Sequence, residues 1–185
     1  MKYPEDFVNK IIHGNCLAVM PFIPDNSIDL TVTSPPYDNL RDYEGYDFDF
    51  KNIAKELYRV TKIGGIVVWV VSDQTKDFCE TLTSFKHAIY FVEECSFKLL
   101  DTMIYEKING SPPFPNMLKY PQWSEYMFIL IKGKPKTFNA IRDRINKYSG
   151  WRHHLSTVRQ KDGSMKKVKG WFREKRGLRS NVWKY

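Results

Sequence analysis

No apolar run in this 185-residue sequence is long enough to cross a bilayer, and its three cysteines include no Cys-x-x-Cys pair. The first absence excludes a membrane-spanning helix. The second leaves Cys16, Cys79 and Cys95 as an odd, widely spaced set that suggests neither a disulfide framework nor a zinc site. Histidine is equally sparse: His13 and His87 stand alone, and the pair His153-His154 sits in a basic stretch, where a solvated or phosphate-facing role competes with a metal clamp. No metal is expected. Repeats and low-complexity segments are missing too. The opening Met1-Lys2-Tyr3-Pro4-Glu5-Asp6 turns polar at once, so no signal peptide is expected and the cytoplasm is the expected location.

What is present is ordinary for a globular chain: 42% hydrophobic and 27% charged residues, a length that predicts one core. The charge is unevenly placed. Of the 29 Lys and Arg, 17 lie from Lys132 onward, accompanied by only 3 of the 21 acids. An acidic body with a strongly basic end points to a polyanionic partner, and nucleic acid is favoured over membrane because the basic part has no clear amphipathic apolar face.

The pattern along the chain alternates. A short strand is expected around Val8 to His13, then Gly14-Asn15-Cys16 and a helical turn through Leu17, Val19 and Met20. Ile28 to Val32 reads as a buried parallel strand. A helix starts near Asp49, with Phe50, Ile53, Ala54 and Leu57 at helical spacing, and Gly64-Gly65 is expected to end it. Ile66 to Val71 is an almost unbroken buried strand closing on Ser72-Asp73-Gln74. A second helix spans about Ser84 to Glu94, with Leu82, Phe85, Ile89 and Val92 on one face. Phe97 to Tyr105 and Tyr126 to Ile131 complete the set, joined across the Pro-rich Ser111 to Pro115. Strand, helix, strand, helix, strand predicts an α/β fold with a largely parallel, doubly wound sheet.

The stretch with the most chemistry is Thr33-Ser34-Pro35-Pro36-Tyr37. Two prolines cannot donate to a sheet ladder, so the strand must end there and leave rigid carbonyls facing the crevice where open α/β sheets bind ligands. A proline turn, or a polyproline segment offered to a WW-type module, is the plainer reading of the same residues. The stretch resembles the Ser-Pro-Pro-Tyr signature of S-adenosylmethionine-dependent DNA amino-methyltransferases, which modify cytosine N4 or adenine N6. Lys62-Ile63-Gly64-Gly65 resembles a Lys-Pro-Gly-Gly turn common in that family, and the likeness runs over residues 10 to 135. It implies a partial Rossmann-like methyltransferase sheet with an antiparallel hairpin at one edge, S-adenosylmethionine as cofactor and DNA as partner. It also implies that Ser34, Pro35, Pro36 and Tyr37 are catalytic. The Ser34 oxygen and Pro35 carbonyl would take the two amine hydrogens, with Pro36 stiffening the turn and Tyr37 stacking on a flipped base. Gly14, Asn15, Cys16 and Thr33 would lie near the cofactor, although Gly14-Asn15 stands where the family commonly has Gly-Asp, and an ordinary strand-to-helix turn explains it equally.

Residues 136 to 185 mix Lys and Arg with aromatics and form the expected target-recognition region, beside a catalytic half at 1 to 135. Lys147, Trp151, Arg152, Lys169 and Arg173, together with Arg41 in the loop after Tyr37, are the expected nucleic-acid contacts. The glycine-rich turn that the family uses to hold its cofactor is missing. Only 33 residues precede Ser34, too few for it to come first, so the permuted order is expected, with the catalytic half leading. From this follows the expectation of a split or truncated enzyme, completed by a second chain carrying that turn or by a homodimer. A catalytically silent DNA-binding remnant and an RNA methyltransferase are the alternative readings.

Overall fold

The computed structural model describes residues 1–36, 48–108, 119–150, 156–168, 170 and 172–184. It divides into one unit of Met1–Lys136 with Asn181–Tyr185, and a second of Thr137–Ser180.

The first unit is built on a sheet of β1 (Ile28–Thr33), β2 (Thr61–Val71), β5 (Lys98–Glu106), β6 (Ser124–Ile131) and β11 (Val182–Lys184), in the order β1-β2-β6-β5-β11. The remaining elements of this unit are α1 (Cys16–Val19), a 3-10 turn (Met20–Phe22), α2 (Phe50–Val60), the small ribbon β3 (Thr75–Lys76) with β4 (Cys79–Glu80), and α3 (Thr83–Glu93). β1 runs parallel to β2, with Thr33 opposite Trp69, whereas β6 is antiparallel to both of its neighbours. The fold is therefore mixed α/β, as expected, but the sheet is not largely parallel: of its four ladders, β1–β2 and β5–β11 are parallel and β2–β6 and β5–β6 antiparallel.

One face of the sheet carries the core. Alternate residues of β2, namely Val67, Trp69 and Val71, are fully buried with Phe128 and Leu130 of β6. Ile53, Ala54 and Leu57 of α2 and Ala88 and Phe91 of α3 close over them. Trp69 packs edge-on to Phe91 at 5.0 Å, and its indole N–H donates to His87 Nδ1 at 3.3 Å, so the polar tips of both rings are satisfied while their faces stay in apolar contact. Phe50 stacks on His87 at 3.7 Å.

Further expectations from the sequence need correction. Val8 to His13 is not a strand. Residues 3–9 form successive turns, with Val8 N–H bonded to the Pro4 carbonyl, and Val8 and Ile11 exposed. β1 is parallel but not buried: it is the outermost strand of the sheet, with Leu30 and Val32 58% and 64% exposed. Gly64-Gly65 does not end the preceding helix, which stops at Val60 with the Thr61 hydroxyl donating to the Leu57 carbonyl at 2.6 Å. The two glycines instead form a bulge inside β2. Gly64 takes φ +85° and donates to the Lys132 carbonyl, and a Cβ on Gly65 would come within 3.0 Å of the Asp29 carbonyl of β1. Lastly, Phe85, Ile89 and Val92 are exposed on α3, because Ser84, His87, Ala88 and Phe91 form the packed side.

The β5–β6 pair is antiparallel, yet it does not form the sheet edge. β11, from a stretch without visible period, adds outside β5 in parallel, with Trp183 opposite Tyr105 and Lys184 Nζ 2.7 Å from Glu106.

Arg59 ties the approach to β1 onto α2. Its guanidinium donates to the Met20 and Ile23 carbonyls, each at 2.8 Å, and to Asp25 and Glu56, each at 2.7 Å. The two carboxylates raise its pKa further above its usual value, so it stays charged at every working pH. Lys cannot reproduce this planar fork. Arg59→Lys is expected to cost about 1 kcal/mol, read as a lower denaturation midpoint with an unchanged m-value.

Candidate active site

The site begins where β1 stops. Asn26 and Ser27 donate backbone bonds to the Arg59 and Val60 carbonyls, which aligns the strand with the end of α2, and the ladder to β2 then runs as far as the Thr33–Trp69 pair. Beyond it the chain leaves the sheet: Ser34 is exposed, Pro35 buried and Pro36 half-buried. The Ser34 hydroxyl is thus presented to solvent at the carboxyl end of a parallel strand, on a backbone whose φ is locked at two successive residues. Thr33 is half-buried on the strand itself. Tyr37 and Arg41 lie outside the described residues, as do Trp151, Arg152 and Lys169.

Gly14, Asn15 and Cys16 are exposed, at the start of α1. Gly14 takes φ +153°, which a side chain would resist. Asn15 caps the helix, its Oδ1 accepting the Leu17 N–H at 2.9 Å. Leu17 packs against the core cluster that contains Trp69. Of the expected nucleic-acid contacts in the second unit, Lys147 is exposed and Arg173 half-buried.

Asp73 has a role that its strand-end position does not reveal. It is 5% exposed at the end of β2, and its carboxylate accepts the Ser84 N–H at 2.9 Å and the Ser84 hydroxyl at 2.6 Å. The residue preceding α3, Leu82, has a left-handed φ of 60° and no capping side chain, so Asp73 caps that helix from a distance. Lys132 is likewise structural. Its Nζ donates to the Tyr58 carbonyl and Asn26 Oδ1 and lies over the Tyr58 ring, and burial pulls its pKa below the usual lysine value. Among the described residues no group of His, Cys, Asp or Glu could hold a metal ion, and no helix is long and apolar enough to cross a membrane.

Sequence reasoning also passed over a hairpin in the second unit. β7 (Arg144–Ile145) pairs with β10 (Arg176–Gly177), and β8 (Ser156–Arg159) pairs with β9 (Met165–Val168) in a hairpin that carries Arg159 and, further on, Lys166 and Lys167 on its strands and Lys161 on its turn. The signal was there in Asp162-Gly163, a hairpin dipeptide between two runs containing β-branched residues.

For a methyl donor, the residues present fit in part. The end of β1 offers the polar groups of Thr33 and Ser34, but none of the 10 glycines stands two positions from another, so the sequence holds no Gly-x-Gly turn. Gly64 and Gly65 serve the β2 bulge, and Gly163 a tight turn.

Comparison with known proteins shows the family. Residues 28–185 match the N6_N4_Mtase family model, described as DNA methylase. The chain is 52% identical over 164 residues to the orphan methyltransferase M.BamHII of Bacillus amyloliquefaciens, covering 88% of this chain and 61% of that protein. It is 30% identical over 156 residues to the type II beta methyltransferase M.BslI of Bacillus sp. (strain NEB-606), covering 70% of this chain and 17% of the other. The chain thus spans about three fifths or less of these relatives. Two solved structures share the fold. The PvuII DNA methyltransferase (cytosine-N4-specific) matches with a TM-score of 0.55 at 18% identity, over 66% of this chain and 48% of that one. The M1.HpyAVI–SAM complex matches with a TM-score of 0.50 at 20% identity, over 75% and 60%. By the extent of the family match, over residues 28–185, this chain belongs to the S-adenosylmethionine-dependent N6/N4 DNA methylase family.

Proposed function

We propose that this chain is the catalytic and target-recognition half of a DNA amino-methyltransferase, with cytosine N4 as the acceptor ahead of adenine N6. One observation carries the reading: Ser34 is exposed at the carboxyl end of β1, directly before a buried proline. An exocyclic amine is conjugated with its ring and is a poor nucleophile. Acceptors for both of its hydrogens, the Ser34 oxygen and the Pro35 carbonyl, would draw the nitrogen towards tetrahedral geometry and hold it there, so catalysis is positioning and electrostatics. Pro36 keeps the corner rigid, and Tyr37 supplies a stacking face for the extruded base. S-adenosylmethionine, when bound, supplies an activated methyl on a sulfonium; Gly14, Asn15, Cys16 and Thr33 are the residues of this chain proposed to face it. Serine rather than aspartate at position 34 favours cytosine. Nucleoside mass spectrometry of DNA from cells expressing this chain with its neighbouring reading frames tests the assignment: N4-methylcytosine supports it, and N6-methyladenine alone moves the acceptor to adenine.

The outermost position of β1 among the described residues supports a partner along this edge. Leu30 and Val32 share a face with Ile66 and Val68, their partners in the ladder, and the strand leaves one line of backbone groups unpaired among the described residues. A protein bearing the glycine turn, or a second copy of this chain, would pair there. Val32→Lys is expected to change stability by less than about 0.5 kcal/mol, because the side chain is exposed, and yet to abolish that pairing. Copurification of a tagged chain with the neighbouring gene products reads the second effect; undiminished copurification of the variant would move the contact elsewhere.

A further inference from the structure

The hairpin of β8 and β9 forms a two-stranded sheet of its own, and residues 157–168 are all exposed. So short a ribbon, with both faces in solvent, buries too little to account for itself as part of a core. Its turn is nevertheless well built. The Gly163 N–H bonds the Gln160 carbonyl at 3.0 Å, the Gln160 N–H bonds the Ser164 carbonyl at 2.7 Å, and Gly163 takes the left-handed φ of +84° that closes a three-residue loop. Asp162 is the hairpin's one acid. Its Oδ1 accepts both the N–H and the hydroxyl of Ser164, which hold its carboxyl below the usual range and occupy it locally.

The register sorts the side chains. Thr157 with Lys167 and Arg159 with Met165 occupy one face, while Val158 with Lys166, along with Val168, occupy the other. Lys161 stands at the tip. The first face therefore combines a guanidinium, an ammonium, a hydroxyl and a flexible thioether, the donor and apolar groups that read base edges. The strands span roughly 13 Å and lie about 4.8 Å apart, dimensions that a B-DNA major groove about 12 Å wide admits and the deep, narrow major groove of A-form RNA does not.

Resting on the DNA-methyltransferase reading above, we propose that this hairpin is a groove-reading arm. The face of Thr157, Arg159, Met165 and Lys167 turns to the base edges of duplex DNA, and Lys161 and Lys166 bind the flanking phosphates. Arg159 is the specificity-determining residue, since a guanidinium held on a strand can take the two acceptors of a guanine.

The test uses the full chain and a pool of random-sequence duplex oligonucleotides. K161A/K166A is expected to lower the slope of log affinity against log salt by roughly 1.8 units, about 0.9 for each phosphate contact, whereas the charge-matched K51A/K55A on α2 leaves it unchanged. Sequences enriched by the wild type are expected to share a G that R159A no longer selects. The arm is overturned if the two double variants behave alike, if R159A enriches the same sequences as the wild type, or if a structured RNA hairpin is bound in preference to duplex. Methylated amines in DNA from cells expressing this chain with its neighbouring reading frames are measured separately. Their absence beside a lost salt slope sinks the enzyme reading and keeps the arm, and their presence beside unaltered binding does the reverse.

Discussion

Ser34→Ala is expected to lower methyl transfer by roughly 10²–10³-fold with no loss of fold, because it deletes one preorganised acceptor from a site that otherwise works by positioning. The size of the effect follows from what remains. The Pro35 carbonyl belongs to the backbone and survives the substitution, so one amine hydrogen keeps its partner. The other would have only water, which must reorganise as charge develops on the nitrogen. Stability should be untouched, since Ser34 is exposed and makes no part of the core. Affinity for duplex DNA should also hold. The informative comparison is therefore the rate in a saturating complex with methyl donor, DNA and the partner chain, set against thermal unfolding of the chain alone. Equal rates for Ser34→Ala and the wild type would return the proline corner to the plainer reading of a rigid turn. Loss of DNA binding with loss of rate would make Ser34 a contact to the polymer.

How far the primary structure carried depends on which physical signal each element sends. Val67, Trp69 and Val71 announce a strand because it is buried, and Ile53, Ala54 and Leu57 announce a helix face because burial repeats at helical spacing; both are where they were expected. The apolar residues of α3 misled, since Phe85, Ile89 and Val92 have the spacing of a core face, while the face that packs includes Ser84 and His87. Those two polar groups become interior only because Asp73 and Trp69, distant in sequence, satisfy them, and no local pattern contains that information. Gly64-Gly65 misled for a related reason: glycine ends helices and also permits close approach of backbones, and the choice was made by Asp29 of β1 and by Lys132, which follows β6. Val182 to Lys184 is too short to show a period, and the strand exists because the rim of β5 is free to take it. In the candidate site, the Ser-Pro-Pro corner was legible because proline chemistry is local. The Arg159 hairpin was not picked out, although Asp162-Gly163 signals it, because a run of mixed basic residues masks alternation when both faces of a ribbon are exposed.

Asp73 gives the largest stability effect expected from a polar residue in this fold. Asp73→Ala should destabilise the chain by about 3 kcal/mol, because it removes the acceptor for the Ser84 N–H and the Ser84 hydroxyl at a position where Ser84 is fully buried and water cannot replace it. For a chain of this size such a loss corresponds to roughly 6–12 °C in the melting midpoint. The mechanism makes a further prediction that separates capping from mere bulk. Asn has the same shape, its Oδ1 can still accept the Ser84 N–H, and its amide can donate to the Ser84 oxygen, so Asp73→Asn should cost only about 1 kcal/mol. Adding Ser84→Ala to Asp73→Ala removes the stranded hydroxyl as well, so the double variant should be less destabilised than the sum of the two singles, with a coupling of 0.5 kcal/mol or more expected for contacting groups, roughly the lower bound of such cycles. Additive costs across that cycle would mean that Asp73 acts through some other contact. A cooperative result fixes what the carboxylate does: it starts α3, whose first turn has no cap of its own, and thereby seats Ala88 and Phe91 on Trp69, the residue that pairs with the last position of β1 before Ser34.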